Sequence, residues 1–302
     1  MTGALWPAAL SVALLAGGDD GPSQAPPEFG VRVEAVKLDV TVLRDGQAVK
    51  GLTAGDFEVK DDGVPQEIEL VSAEERALHA VLVLDTSSSV AGRRLESLKA
   101  AASSLVAGLS PQDAASVIAF SHDVYVLPQD PYDHAGLRVA VEALTSGGAT
   151  ALNDAVFAGL LRSDTRRGRP MVLVFSDGAN TLSWLEPRHV LDVGRGLDAV
   201  VYGVVAANTA ALPRDRGRKT PPRGASGLLQ ELADVTGGAV LQTEGGDLSE
   251  AFRRILATVQ NRYVLRYVPR GVEAAGWHTL AVRLKRAQGE VRVRRGYRRS
   301  SL

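Results

Sequence analysis

Ala80-Val81-Leu82-Val83-Leu84-Asp85-Thr86-Ser87-Ser88-Ser89 decides how the rest of the chain is read. A short unbroken apolar run ending at an acidic residue is the pattern of a parallel strand buried on both faces, with a site at its C-terminal end. Asp85, Ser87 and Ser89 stand at alternate positions and offer one carboxylate and two hydroxyls close together. Such hard oxygen donors suit a divalent cation, Mg2+ first, with Mn2+ or Ca2+ as chemical alternatives.

Outward from this junction, strand and helix patterns alternate from His79 to about Gln260. The predicted strands are His79–Leu84, Ala114–Phe120, Pro170–Phe175, Asp198–Val204 and Ala239–Gln242. The predicted helices include Arg93–Leu109, where Leu95, Leu98, Ala102, Leu105 and Leu109 share one face, and Ala135–Leu144, Leu152–Arg162, Gly227–Thr236 and Leu248–Val259. Repeated β-α alternation with apolar strands predicts a doubly wound, Rossmann-like α/β domain, its mostly parallel sheet covered by helices on both faces.

Both ends of the chain read as β. Val31 to Val42 alternates, with Val36, Leu38, Val40 and Val42 on one face, and Asp45-Gly46 marks a hairpin turn. Phe57–Lys60 and Gln66–Val71 follow, split by Asp61-Asp62-Gly63. At the other end Tyr263–Val268, His278–Leu284 and Glu290–Arg294 tend to alternate. Neither set has enough strands for a stable sheet. The expectation is one small sandwich-like all-β domain made from both ends, with the α/β domain inserted; two independent β-flaps docked on the α/β core are the alternative. The domains are expected at 1–27 (signal and linker), 28–74, 78–261 and 262–298.

Leu5 to Ala16 is apolar but too short to span a bilayer comfortably, and it runs into Gly17-Gly18-Asp19-Asp20-Gly21. That pattern predicts a secretory signal and an exported protein, periplasmic, cell-surface or secreted, with no transmembrane segment in the mature chain. The alternative is a frayed N-terminus or a mis-assigned start. Bulk composition narrows the classes. Of 302 residues, 45% are hydrophobic and 23% charged, which excludes wholesale disorder. A net charge of -1 argues against a dedicated nucleic-acid binder. Without cysteine there is no disulfide, zinc-thiolate cluster or thiol nucleophile, and no lipoprotein anchor is expected.

In a doubly wound sheet, ligands bind at the C-terminal ends of the strands. Three features converge there: Asp85, Ser87 and Ser89 after the first strand; Gly147-Gly148-Ala149-Thr150 ahead of a helix; and Ser176-Asp177-Gly178 after the strand ending at Phe175. With these residues in place, the chain resembles the von Willebrand factor type A domain and its metal-ion-dependent adhesion site. The family's Asp-x-Ser-x-Ser matches Asp85, Ser87 and Ser89, its threonine matches Thr150, and its later aspartate matches Asp177. The flanks, Gly51-Leu52-Thr53-Ala54-Gly55-Asp56-Phe57-Glu58-Val59 with Gln66-Glu67-Ile68, then Tyr263-Val264-Leu265-Arg266-Tyr267 and Val293-Arg294-Arg295-Gly296-Tyr297, are similar to a bacterial VWFA-related family whose members are mostly uncharacterised exported proteins.

The resemblance implies that Ser87 and Ser89 coordinate the ion directly, Thr150 directly or through water, and Asp85 and Asp177 largely through water or hydrogen bonds. Neutral hydroxyl ligands would leave the ion enough positive charge to recruit an Asp or Glu from a protein partner. Asp154, at the start of the next helix, is either a carboxylate supporting the ion from behind its direct ligands or a helix N-terminal cap and charge. The segment 212–223 is Pro-rich and basic; Arg214, Arg216, Arg218, Lys219 and Arg223 would suit an acidic partner surface, or form a solvated loop.

Enzyme patterns are lacking. The junction is similar to aspartyl-nucleophile phosphotransferases, but Ser87 stands where their second Asp would act as general acid. There is no Gly-x-Ser-x-Gly elbow and no Gly-x-x-x-x-Gly-Lys phosphate loop. His79, His122, His134, His189 and His278 are scattered, without metal-ligand spacing. The expectation is a non-enzymatic, cation-dependent recognition module; the alternative is an assembly or chaperone-like component working with an ATPase.

Overall fold

Leu78–Asp85 forms a strand with every side chain buried. The computed structural model describes residues 35–71, 77–164, 168–177, 179–206, 225–243 and 248–299. The signal-like segment 1–27 and the start of the first predicted strand lie outside them. In chain order the strands are β1 (Val36–Arg44), β2 (Gln47–Ala48), β3 (Phe57–Asp61), β4 (Val64–Gln66), β5 (Ile68–Val71), β6 (Leu78–Asp85), β7 (Ala114–Phe120), β8 (Val124–Val126), β9 (Arg169–Ser176), β10 (Val200–Ala206), β11 (Ala239–Thr243), β12 (Tyr263–Tyr267), β13 (Gly276–Leu284), β14 (Glu290–Arg292) and β15 (Gly296–Arg299). The helices are α1 (Arg93–Ala107), α2 (His134–Glu142), α3 (Leu152–Ser163), α4 (Pro187–Gly196), α5 (Ala225–Thr236) and α6 (Leu248–Gln260).

The central sheet has six strands in the order β11-β10-β9-β6-β7-β8. All pairs are parallel except β7 with β8. The two faces of β6 explain the layers. Leu78, Ala80, Leu82 and Leu84 pack with residues of α1, α2 and α6, including Leu98, Leu105, Val141 and Phe252. Val81 and Val83 pack with residues of α3, α4 and α5, including Val156, Leu160, Val190 and Leu229. From β6 the chain passes first to β7 on one side and later to β9 on the other. That reversal opens a crevice at the C-terminal end of β6.

The sequence pattern missed one helix packed on this sheet and one of its strands. In α4 the buried residues are Val190, Leu191 and Gly194, and its two glycines weaken any helical signal. The edge strand β8 is largely exposed and carries no alternation of burial.

Strands from both ends of the chain pair with one another. β1 lies antiparallel to β12, with Leu38 opposite Leu265, and β3 lies antiparallel to β13, with Val59 opposite Val282. One sheet is β14-β1-β12-β5 with β2 on β1; the other is β15-β13-β3-β4. Leu38, Val40, Val42, Phe57, Val59, Leu265, Tyr267, Leu280 and Tyr297 form a shared cluster. Two hairpins carry this arrangement. Asp45 and Gly46 (φ 52° and 76°) join β1 to β2, and Asp62 and Gly63 (φ 46° and 83°) join β3 to β4. Positive φ at both central residues gives the turn twist that matches the strands, which is why Asp-Gly stands at each.

The last predicted strand, Glu290–Arg294, is shorter than expected: β14 ends at Arg292, and β15, which the sequence pattern did not assign, begins at Gly296 in the other sheet. Between them Arg294 donates to Asp198 Oδ1 and to the carbonyl oxygens of Arg195 and Leu197, while Arg295 bonds the Val235 carbonyl and Asp234. The arginine-rich end is therefore partly a clamp on the ends of α4 and α5, rather than a free charged face.

Tyr267 and Tyr297 both donate to Asp61 Oδ2, at 2.8 Å each. Burial, then the Asp61 bond, pushes both phenols above the usual tyrosine range. Because the folded values are raised, their stabilising contribution is complete below about pH 10 and declines as pH rises beyond it. Urea denaturation at pH 9 and pH 11 should show a lower midpoint at pH 11, and a smaller drop in Tyr267→Phe.

Candidate metal centre

β6 delivers Asp85 to the crevice with its carboxylate fully buried. Asp85 Oδ1 accepts from the Ser87 N–H at 2.9 Å, a side-chain-to-backbone turn that fixes the chain leaving the strand. The Thr86 N–H and hydroxyl both bond the Phe120 carbonyl, at 2.7 and 3.0 Å, holding this loop to the end of β7. Ser87 Oγ and Ser89 Oγ lie 3.0 Å apart at the start of the 3-10 turn Ser88–Val90. Ser87 is buried and Ser89 exposed, so the pair runs from the crevice to solvent.

A second loop is stitched to the first. The Gly147 N–H donates to the Thr86 carbonyl at 2.8 Å, and the Ser88 N–H to the Gly148 carbonyl at 3.1 Å. Gly148 has φ +82°, and a Cβ there would fall 2.2 Å from His122 Nδ1. The backbone can pass so close only without a side chain. Thr150, two residues further along this stitched loop, is itself buried.

β9 supplies the third edge. Leu84 lies opposite Phe175, so Ser176 and Asp177 emerge beside Asp85. Ser176 Oγ donates to Asp85 Oδ2 at 2.8 Å, occupying the oxygen that Ser87 leaves free. Asp177 Oδ1 accepts from the Ala179 N–H at 3.1 Å. Burial first, then the charge of Asp177, raises the Asp85 carboxyl above the usual carboxylate range, against the lowering effect of its bonds from Ser87 and Ser176. Ser176 was not singled out from sequence; its signal is the strand register, visible once β6 and β9 are paired.

Among the described residues, neither Asp85 nor Asp177 has a Lys or Arg ion-pair partner. A buried carboxylate beside a second carboxylate and several hydroxyls is short of positive charge. The donors that could meet it are all oxygens, the set preferred by Mg2+ or Ca2+. Asp85, Ser87, Ser89, Thr150 and Asp177 thus stand on loops sharing one edge of the sheet, and their chemistry fits a hard divalent cation.

Asp154 serves a neighbouring segment. It lies in the first turn of α3, and its two oxygens accept the N–H groups of Trp184 and Leu185, each at 2.9 Å. The same segment bonds the Thr150 carbonyl through the Thr181 and Leu182 N–H groups, while Asn180 Oδ1 accepts from the Leu152 N–H. Trp184 is nevertheless 94% exposed and Leu182 49% exposed. These two apolar side chains, next to the candidate centre, were missed because an unpatterned loop gives no sequence signal. The basic loop with Arg214, Arg216, Arg218, Lys219 and Arg223, like Gly178, lies outside the described residues. Asp154→Ala should lower stability by about 1–3 kcal/mol through lost charge-assisted hydrogen bonds. Hydrogen exchange should then quicken at the Trp184 and Leu185 amides.

Comparison with known proteins agrees with this architecture. Residues 80–180 match the family model of the von Willebrand factor type A domain. A protein of Synechocystis, described as uncharacterised, is 32% identical over 109 residues, which are 34% of this chain and 26% of that protein. The match thus spans about a quarter of the relative's length. Among solved structures, a von Willebrand factor type A protein from Catenulispora acidiphila aligns with a TM-score of 0.52 and 13% identity, over 85% of this chain and 74% of that one. An aerotolerance-related membrane protein from Bacteroides fragilis aligns with a TM-score of 0.47 and 20% identity, over 61% of this chain and 98% of that one. At 13% identity the likeness to the Catenulispora protein speaks to fold alone. Residues 80–180 are thus similar to a von Willebrand factor type A domain, and the chain has a fold of that type, with the mixed, mostly parallel six-stranded sheet described above.

Proposed function

We propose that this protein is a non-enzymatic recognition module that binds a divalent cation at Asp85, Ser87, Ser89, Thr150 and Asp177 and uses it to capture an Asp or Glu of a protein partner. The observation that carries the reading is Asp85: a fully buried carboxylate, with Asp177 acting on it and no Lys or Arg paired to it among the described residues. Ser87 and Ser89 are direct ligands, Thr150 a direct or water-mediated one, and Asp85 and Asp177 hold water or ligand hydroxyls. Mg2+ is the expected ion, with Mn2+ or Ca2+ as substitutes of the same donor preference. Leu182 and Trp184 supply apolar contact beside the ion, the kind of exposed anchor that carries interface energy.

The same reading gives the rest of the chain supporting roles. Residues 28–74 and 262–298 form one all-β domain that presents the inserted segment 78–261, supported by the pairing of β1 with β12 and β3 with β13. The apolar stretch from Leu5 to Ala16 supports export. No helix among the described residues is long and apolar enough to cross a membrane. The basic segment 212–223 adds attraction for an acidic partner.

Mg2+ held at about 100 times its dissociation constant should stabilise the fold by roughly 2.7 kcal/mol, read as a rise in melting temperature over an EDTA-treated sample. Asp85→Ala should abolish that rise, and Ser89→Ala, on an exposed position, should shrink it without disturbing the core. Equal melting temperatures in Mg2+ and EDTA would reject the cation. Retention of a partner in pull-downs should require Mg2+ and fail in Ser89→Ala; retention in EDTA would reject a metal bridge.

A further inference from the structure

His278 stands far from the candidate centre, on β13, and is almost wholly buried. Its Nδ1 lies 3.1 Å from Asp61 Oδ1 and 3.0 Å from Asp62 Oδ2. Asp61 closes β3 with no exposed surface, and Asp62 opens the following turn at the surface. The other oxygen of each carboxylate is already held. Tyr267 and Tyr297 donate to Asp61 Oδ2, and the Thr279 N–H donates to Asp62 Oδ1 at 2.7 Å. The ring of His278 stacks on Tyr297 with centroids 4.9 Å apart.

We propose that Asp61, Asp62 and His278 form a second metal site, separate from the Asp85 centre, for a divalent ion that accepts imidazole, such as Mn2+ or Zn2+. One ring nitrogen offers a single proton or a single lone pair, yet it faces two carboxylate oxygens at nearly equal distance. A lone N–H shared between them makes two weak bonds; a divalent ion meets both charges and the lone pair together. Among the described residues neither carboxylate has a Lys or Arg partner. The three donor atoms all lie within 4.8 Å of one another. The separations of 3.1 and 3.0 Å from His278 Nδ1 to the two carboxylate oxygens each subtend roughly a right angle at an ion about 2.1 Å from each donor, as between neighbouring ligands of an octahedral ion.

The surroundings are those of a supported ligand set. Two tyrosine hydroxyls and a backbone N–H orient the carboxylates, and Tyr297 fixes the ring plane. Asp62 leaves a solvent-side approach. One nitrogen with two carboxylate oxygens distinguishes this site from the oxygen-only Asp85 centre, because imidazole suits Mn2+ and Zn2+ better than Mg2+ or Ca2+. When an ion takes Nδ1, the ring proton moves to Nε2, which is buried without a protein partner. That unpaired N–H weakens binding by about 10–100-fold relative to a site whose outer ring nitrogen has a hydrogen-bond acceptor. The bound ion would clamp the β3–β4 turn to β13.

Titration of the full chain with Mn2+ and with Zn2+, followed by calorimetry and by the Mn2+ paramagnetic resonance signal, tests the site. In Asp85→Ala one equivalent should still bind, and adding Asp62→Asn should weaken it at least about tenfold. Asn tolerates the left-handed conformation at position 62, so the turn should survive. Should Asp85→Ala fail to fold, the Asp62→Asn protein read against wild type should lose one of two equivalents. His278→Gln should behave as Asp62→Asn does. Absence of Mn2+ and Zn2+ binding in folded Asp85→Ala would overturn the proposal, as would stoichiometry and affinity unchanged by Asp62→Asn. Asp61, Asp62 and His278 would then be a hydrogen-bonded clamp only.

Discussion

A carboxylate with no exposed surface at the end of the central strand is the constraint around which the candidate centre is organised. Burying the Asp85 charge is unfavourable unless donors converge on it. The structure answers with Ser87 N–H on one oxygen and the Ser176 hydroxyl on the other. Those bonds demand that β6 and β9 be adjacent and in one register, and that the chain after Asp85 turn back on itself. The Gly147–Thr150 loop is then drawn in by its own backbone bonds to Thr86 and Ser88. Geometry at the centre and topology of the sheet are thus one problem solved once.

Much of this was legible from the sequence because buried parallel strands leave a simple trace. Ala80 to Leu84 reads as an apolar run, and a site-bearing end follows from where the run stops. The positions of Ser87, Ser89, Thr150 and Asp177 follow from the same reasoning, since each lies just beyond a predicted strand or just ahead of a predicted helix. What failed to show was whatever depends on contacts between distant segments. Ser176 matters only because register places it beside Asp85. The fixed loop from Asn180 to Leu185 is held by Asp154, Asn153 and Thr150, none of which advertises that role in its own neighbourhood. α4 was invisible because Gly194 packs against Leu232 by having no side chain, a fit that lowers helical propensity while improving the contact.

The histidines teach the converse. Their scattered spacing shows no metal-ligand pattern, yet spacing along the chain is no guide to contacts where antiparallel strands from opposite ends meet. Asp61 and His278 are 217 positions apart and in hydrogen-bond contact. The buried cluster around them mixes aromatic hydroxyls, carboxylates and imidazole inside an otherwise apolar core, so its members must satisfy one another. Such a cluster fixes the mutual position of β3, β12, β13 and β15 more sharply than apolar packing alone could.

The weaving of the two chain ends has a temporal consequence. Tyr263 bonds the backbone of Val49, 214 positions earlier, so the first strands emerge from synthesis long before their partners exist. Contacts of that span are late and slow to form. Until then Leu38, Val40 and Val42 lie along an unpaired β edge, the sort of surface that invites pairing with a neighbouring chain. Lys37 and Asp39, interleaved with them, and Arg44 at the end of the strand lower that hazard by making the waiting edge a poor template for aggregation.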